Sequence, residues 1–157
     1  MDPASNAATT ALAATLGAGG GDLTQRLLSC FRGRCQQAVG RCVGKGGPCD
    51  ARVARRDARR ECRPLERDIL DDARRSVCQP YVDRMRPALL RQLGEAAADA
   101  RIEELATACA AAEAKKDARL ETCVAERLVE SLAACAAREC AGGAAACAAR
   151  VCGISTS

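Results

Sequence analysis

Twelve cysteines in a chain of 157 residues limit what this protein can fold into more than any other feature. They stand at Cys30, Cys35, Cys42, Cys49, Cys62, Cys78, Cys109, Cys123, Cys135, Cys140, Cys147 and Cys152. Counted outward from the interval between Cys78 and Cys109, the steps toward the N-terminus are 16, 13, 7, 7 and 5 residues, and those toward the C-terminus are 14, 12, 5, 7 and 5. Two antiparallel helical arms produce such a mirror, because each advance along one arm is matched by an equal return along the other. The nested pairing it implies is Cys78 with Cys109, Cys62 with Cys123, Cys49 with Cys135, Cys42 with Cys140, Cys35 with Cys147 and Cys30 with Cys152. A local scheme competes with it. Cys135, Cys140, Cys147 and Cys152 are symmetric about Gly142-Gly143, so Cys140 with Cys147 and Cys135 with Cys152 would staple a short hairpin instead.

Composition favours disulfides over free or metal-bound thiols. Of the apolar residues 35 are Ala, and only 29 are larger than Ala and other than Cys, so the core that burial alone can build is thin. Small cores are commonly reinforced by cross-links, which persist in oxidising compartments. Zinc and dithiol redox sites bring two thiols together through a two-residue gap, and no Cys-x2-Cys occurs here. The expectation is six disulfides, no metal site and no cofactor.

From Asp22 onward the chain is rich in Ala, Leu, Arg and Glu and poor in β-branched residues, a helical composition. The expected breaks are the loop Val43 to Pro48, Gln79-Pro80, Gly94, a point near Lys115, and Gly142-Gly143. Pro64 either kinks a helix or opens a new one. Residues 1–21 carry a glycine run and no sustained periodicity, so they are expected to form a flexible Gly/Ala-rich leader to a single disulfide-rich helical domain over 22–157. That leader does not have the pattern of a signal peptide, since Asp2 occupies the place of a basic residue and the apolar run 11–16 is short. No stretch of apolar residues is long enough to span a membrane. The fold class expected is all-α: an elongated antiparallel helical hairpin or small helical bundle stapled by about six disulfides. Asp57-Ala58-Arg59 before Cys62 and Asp117-Ala118-Arg119 before Cys123 also suggest a duplicated helical segment.

The spacing Cys-x4-Cys-x6-Cys-x4-Cys over residues 135–152 resembles, in design, the helical hairpin proteins of the mitochondrial intermembrane space, whose paired cysteines staple two antiparallel helices. Those proteins use twin Cys-x9-Cys or Cys-x3-Cys motifs, and this chain departs from both. Five residues turn a helix by about 500°, so one regular helix face does not present both thiols. The resemblance implies a route by which a chain without a presequence reaches an oxidising compartment. The compartment expected is the mitochondrial intermembrane space or the secreted, extracellular one.

The chain has no His and no Trp, with one Phe and one Tyr. Imidazole bases and aromatic stacking platforms are therefore excluded. Acid pairs such as Asp71-Asp72 and Glu103-Glu104 are adjacent and point to different sides of a helix, while Asp71 and Arg75 have the spacing of an ion pair. No catalytic residue, small-molecule substrate or enzymatic activity is expected. Two surfaces stand out as candidate partner-binding sites. Arg52, Arg55, Arg56, Arg59, Arg60 and Arg63 recur at intervals of three and four, forming one helix face that suits an acidic partner or simple solvation. The modest net charge of +4 and the missing aromatics disfavour nucleic acid. The other is Tyr81, Val82, Met85, Leu89, Leu90 and Leu93, a concentration of large apolar residues between Pro80 and Gly94, expected either as a local core against Ile102 and Leu105 or as an exposed docking patch rimmed by Arg84, Arg86 and Arg91. The function expected is a structural or accessory subunit that stabilises a larger assembly through protein partners in an oxidising compartment. A secreted helical binding protein for a ligand, lipid or acidic partner is the alternative.

Overall fold

The computed structural model describes residues 2–18 and 20–156. Among these the fold is an all-α bundle stapled by disulfides, with nine α-helices and one π-helical turn. The helices are α1 (Pro3–Leu16), α2 (Gly21–Arg32), α3 (Gln36–Val43), α4 (Ala51–Glu61), α5 (Arg63–Ala73), α6 (Gln79–Leu93), α7 (Glu95–Lys115), α8 (Ala118–Glu139) and α9 (Ala141–Cys152), with the π turn over Arg74–Cys78. No helix among them is long and apolar enough to cross a membrane. The residues fall into two compact units: the chain up to Arg60 together with that from Val124, and Glu61–Cys123. The division follows the apolar side chains, which form two separate buried clusters.

In the first unit α1 corrects the expectation of a flexible leader. The Asp2 side chain accepts a hydrogen bond from the Ser5 amide at 3.0 Å and Pro3 occupies the first turn, a favourable helix start. Ala4, Ala8 and Leu12, one turn apart, are buried, and α1 packs against α2, α3 and α9. The buried side chains of α1 are mostly alanine, too small to mark a core along the sequence. Around this stripe the core gathers Leu27, Phe31, Val39, Leu132, Ala148 and Ile154. The loop after α3 folds back on that helix, with the Cys49 amide donating to the Cys42 carbonyl at 2.8 Å. Only glycine fits at position 47, where a Cβ would collide with the Arg41 and Cys42 carbonyl oxygens. At the far end Gly153, with φ +65°, ends α9 in the left-handed region, and the Ile154 amide reaches the Ala148 carbonyl at 3.0 Å. This is the pattern of a helix closed by glycine with an apolar residue behind it.

The second unit packs α7 against α5, the π turn and α6. Ala98, Ile102, Ala106, Ala110 and Ala114 are all buried and lie four residues apart, so α7 presents a seam of mostly small side chains that admits close approach of its neighbours. Val82, Ile102 and Ala106 form the buried cluster, flanked by Leu89 and Leu105. Arg86 pairs with Asp99 at 3.2 Å, and Arg74 pairs with Glu103.

Several expected breaks are placed differently. Pro64 opens α5 in its first turn, one of the two options. Gln79-Pro80 does not end a helix: the Gln79 amide bonds the Arg74 carbonyl five residues back, and this widened turn takes up the bulk of a proline ring that would otherwise crowd the preceding turn. Pro87 also lies inside α6, which runs on to Leu93. The last break falls at Cys140, leaving Gly142 and Gly143 within the first turn of α9. Asp57-Ala58-Arg59 is helix interior whereas Asp117-Ala118-Arg119 begins α8, so the apparent duplication is not matched in structure.

Candidate functional site

Every cysteine is paired, and the connectivity is the nested ladder. Cys30–Cys152, Cys35–Cys147, Cys42–Cys140 and Cys49–Cys135 cross-link the first unit, and Cys62–Cys123 and Cys78–Cys109 the second. Their Cα separations lie between 5.8 and 6.2 Å, within the usual disulfide range. The local hairpin pairings of Cys140 with Cys147 and Cys135 with Cys152 do not form. Six disulfides point to an oxidising environment.

The cross-links of the first unit come in two stacked sets. Cys30 Sγ lies 3.5 Å from Cys35 Sγ, which belongs to the next disulfide, and Cys140 Sγ lies 3.7 Å from Cys49 Sγ in the same way. The helix break at Gly33 to Cys35 makes the first juxtaposition possible: a regular helix would carry residues five apart to different sides, but the chain turns between α2 and α3. The refolded loop that Gly47 permits does the same for Cys49 beside Cys42.

A groove of about 480 Å³ lies beside the Cys30–Cys152 disulfide, lined by Arg26, Ser29, Gly33, Arg34 and Ile154. Arg34 Nη1 donates to the Val151 carbonyl at 3.1 Å, tying α9 to the turn after α2. The sequence reading missed this cationic groove. A signal for it was present, since Arg26, Ser29, Cys30 and Gly33 recur at intervals of three, one and three and share one helix face.

The structure divides the apolar segment of α6. Val82 is buried and Leu89 packs beside it, so these two belong to the local core with Ile102. Tyr81, Leu90 and Leu93 are 41%, 38% and 47% exposed, and Met85 is half-buried. At about 100° per residue, Tyr81 and Leu90 lie on opposite sides of the Val82–Leu89 stripe. The segment is therefore divided between covered and exposed residues. Arg84 and Arg91 are exposed beside them.

The arginine face lies on α4. Arg55 and Arg59 are exposed, and Ala58 is buried on the opposite side. Arg56 and Arg60 stand 3.9 Å from the Asp57 carboxylate. Arg52 is committed locally: its guanidinium meets Asp50 at 3.0 Å and its amide donates to the same carboxylate at 2.9 Å. The expected Asp71–Arg75 pair is replaced by Asp72 with Arg75 at 2.7 Å; in this geometry the residue three positions back reaches the guanidinium.

Asp117 and Arg119 repeat at the start of α8 what Asp50 and Arg52 do at the start of α4: the Arg119 amide donates to the Asp117 carboxylate at 2.9 Å, and its guanidinium pairs with the same carboxylate at 2.9 Å. The Arg52 guanidinium, followed by the Gly46 and Arg52 amides, holds the Asp50 carboxyl far below its ordinary value, and Arg119 depresses Asp117 in the same direction. Both perturbed carboxylates thus serve helix starts. A carboxyl whose folded pKa is depressed adds stability above its unfolded pKa, and that contribution is lost as pH falls from 3.8 toward the folded value. The double variant Asp50→Ala/Asp117→Ala is therefore expected to melt below the parent protein at neutral pH, with the gap narrowing in acid. Thermal melts at a series of pH values check this, and a gap that widens in acid contradicts it.

No protein-family model, curated protein or solved structure matches the chain.

Proposed function

We propose that this protein is a non-enzymatic structural or accessory subunit that stabilises a larger protein assembly in an oxidising compartment, the mitochondrial intermembrane space or the extracellular space. The observation that supports this reading best is the exposure of Leu90 and Leu93, three residues apart on one side of α6, in a chain with few large apolar residues. Leu90 and Leu93 beside the exposed Arg91 resemble an apolar patch with a charged edge, as at a protein interface. The partner is a protein with a complementary apolar surface, and the disulfides keep α6 presented to it without a large core. The groove holding Arg26 and Arg34 favours a second reading, a secreted binder of an acidic ligand.

The test separates docking from folding. Leu90→Ser/Leu93→Ser is expected to leave the melting temperature of the isolated protein nearly unchanged, since exposed substitutions usually shift stability by no more than about 0.5 kcal/mol. In the native host the same variant should sediment as the free chain instead of within a larger complex. Retention of the complex by this variant overturns the subunit reading. Leu89→Ser, at the edge of the local core, is the contrasting variant and should lower the melting temperature.

A further inference from the structure

Before oxidation, the stacked cross-links of the first unit are two groups of four thiols. Cys30, Cys35 and Cys152 have sulfur atoms all within 4.8 Å of one another, as do Cys42, Cys49 and Cys140. The fourth member of each group is the disulfide partner of one of these, Cys147 bonded to Cys35 and Cys135 bonded to Cys49. Two of these cysteines come from the N-terminal part of the chain and two from the C-terminal part in each group, so neither group is visible as a local spacing.

We propose that the reduced chain binds two divalent d10 cations, zinc above all, one at Cys30, Cys35, Cys147 and Cys152 and the other at Cys42, Cys49, Cys135 and Cys140. Tetrahedral zinc–thiolate bonds of about 2.3 Å set the sulfur atoms about 3.8 Å apart. The sulfur separations across the stacked disulfides, 3.5 Å for Cys30 and Cys35 and 3.7 Å for Cys49 and Cys140, are already close to that edge length. Parting the bonded sulfurs and drawing in Cys147 and Cys135, which lie outside the two mutually close sets, would complete each group around an ion. The first site also has an entry path and a charge partner. Cys30 and Cys152 line the groove with Arg26 and Arg34, and four thiolates around Zn²⁺ carry two negative charges that the two guanidinium groups oppose.

The chemistry balances with a phosphine as reductant. Each disulfide accepts two electrons and two protons to become two thiols, while the phosphine takes the oxygen of a water molecule as phosphine oxide. Binding of Zn²⁺ then releases the protons of the four thiols it coordinates. When two molecules of a small disulfide oxidant take four electrons from each site, the four thiolates join as two disulfides, the oxidant leaves as four thiolates and Zn²⁺ is released, so the metal-bound form would hold the two arms of the first unit in the register that the ladder later locks. This role concerns the chain before oxidation and does not rest on the proposed subunit function.

The test uses the full chain, reduced by a phosphine and kept without oxygen, and titrated with Co²⁺ as a spectroscopic probe. Thiolate-to-cobalt charge-transfer bands and tetrahedral ligand-field bands are expected to saturate at two ions per chain, with Zn²⁺ displacing the colour. Cys35→Ser/Cys147→Ser and Cys49→Ser/Cys135→Ser should each lower saturation from two ions to one. Cys62→Ser/Cys123→Ser, which leaves both groups intact, should retain two. The proposal is overturned if tetrahedral bands fail to appear, or if all three double variants lose the same amount, the result expected of an unfolded chain whose thiols bind cobalt without a preferred set.

Discussion

Reduction of the six disulfides in metal-free buffer is expected to remove more stability than any side-chain substitution, and single cross-links should contribute unequally. The bonds are nested, so each one closes only the chain left free by the bond inside it. Cys78–Cys109 closes 31 residues, and Cys62–Cys123 enlarges the span to 61. At the outer end Cys30–Cys152 extends the span of Cys35–Cys147 only from 112 to 122 residues. The chain-entropy relation gives about 3.6 kcal/mol for either inner bond and about 2.7 kcal/mol for the outermost. Paired Cys→Ser variants followed by chemical denaturation measure the order. Removing Cys62–Cys123 should cost more than removing Cys30–Cys152, and the opposite order would show that nesting does not govern the contributions.

Phe31→Ala is expected to be the most damaging single substitution in the first unit outside the cross-links. Phe31 is fully buried and is the only phenylalanine in the chain. Its neighbours in the core include many alanines, whose short side chains cannot swing into the vacated space. Loss of a buried ring costs about 3–5 kcal/mol, and the rigid disulfides around Cys30 and Cys35 further limit collapse of the cavity. The effect is checked by equilibrium unfolding of the oxidised protein. A change below about 1 kcal/mol would mean that the site closes or fills on substitution.

The split of α6 shows why the candidate docking residues could be found in the sequence but not sorted. Tyr81, Met85, Leu89, Leu90 and Leu93 form one apolar concentration when read along the chain. Which of them is covered depends on where the alanine seam of α7 lies, and that seam is itself made of residues too small to announce a core. Partial burial of Leu89 and exposure of Leu90 follow from their 100° separation once α7 is in place.

Helix breaks divide in the same manner. Gly94, with φ +79°, ends α6 where expected because its backbone conformation is a local property. Pro80 does not end a helix, because a turn widened by one residue accommodates the ring. Gly142 and Gly143 are carried into α9, next to cross-links at Cys140 and Cys147 that hold both ends of their segment.

The helical class, the scarcity of large apolar residues and the mirror of the cysteines belong to the sequence by itself: composition and spacing are one-dimensional, and a nested ladder requires only that two arms advance at equal rates. Only the tertiary structure decided that Pro3–Leu16 is part of the core, that Arg26 and Arg34 share a groove with Cys30 and Cys152, and that successive disulfides stack with their sulfurs in contact. Each of these depends on where a chain turns between helices and on how closely alanine-lined surfaces approach, distances that no spacing along the chain contains.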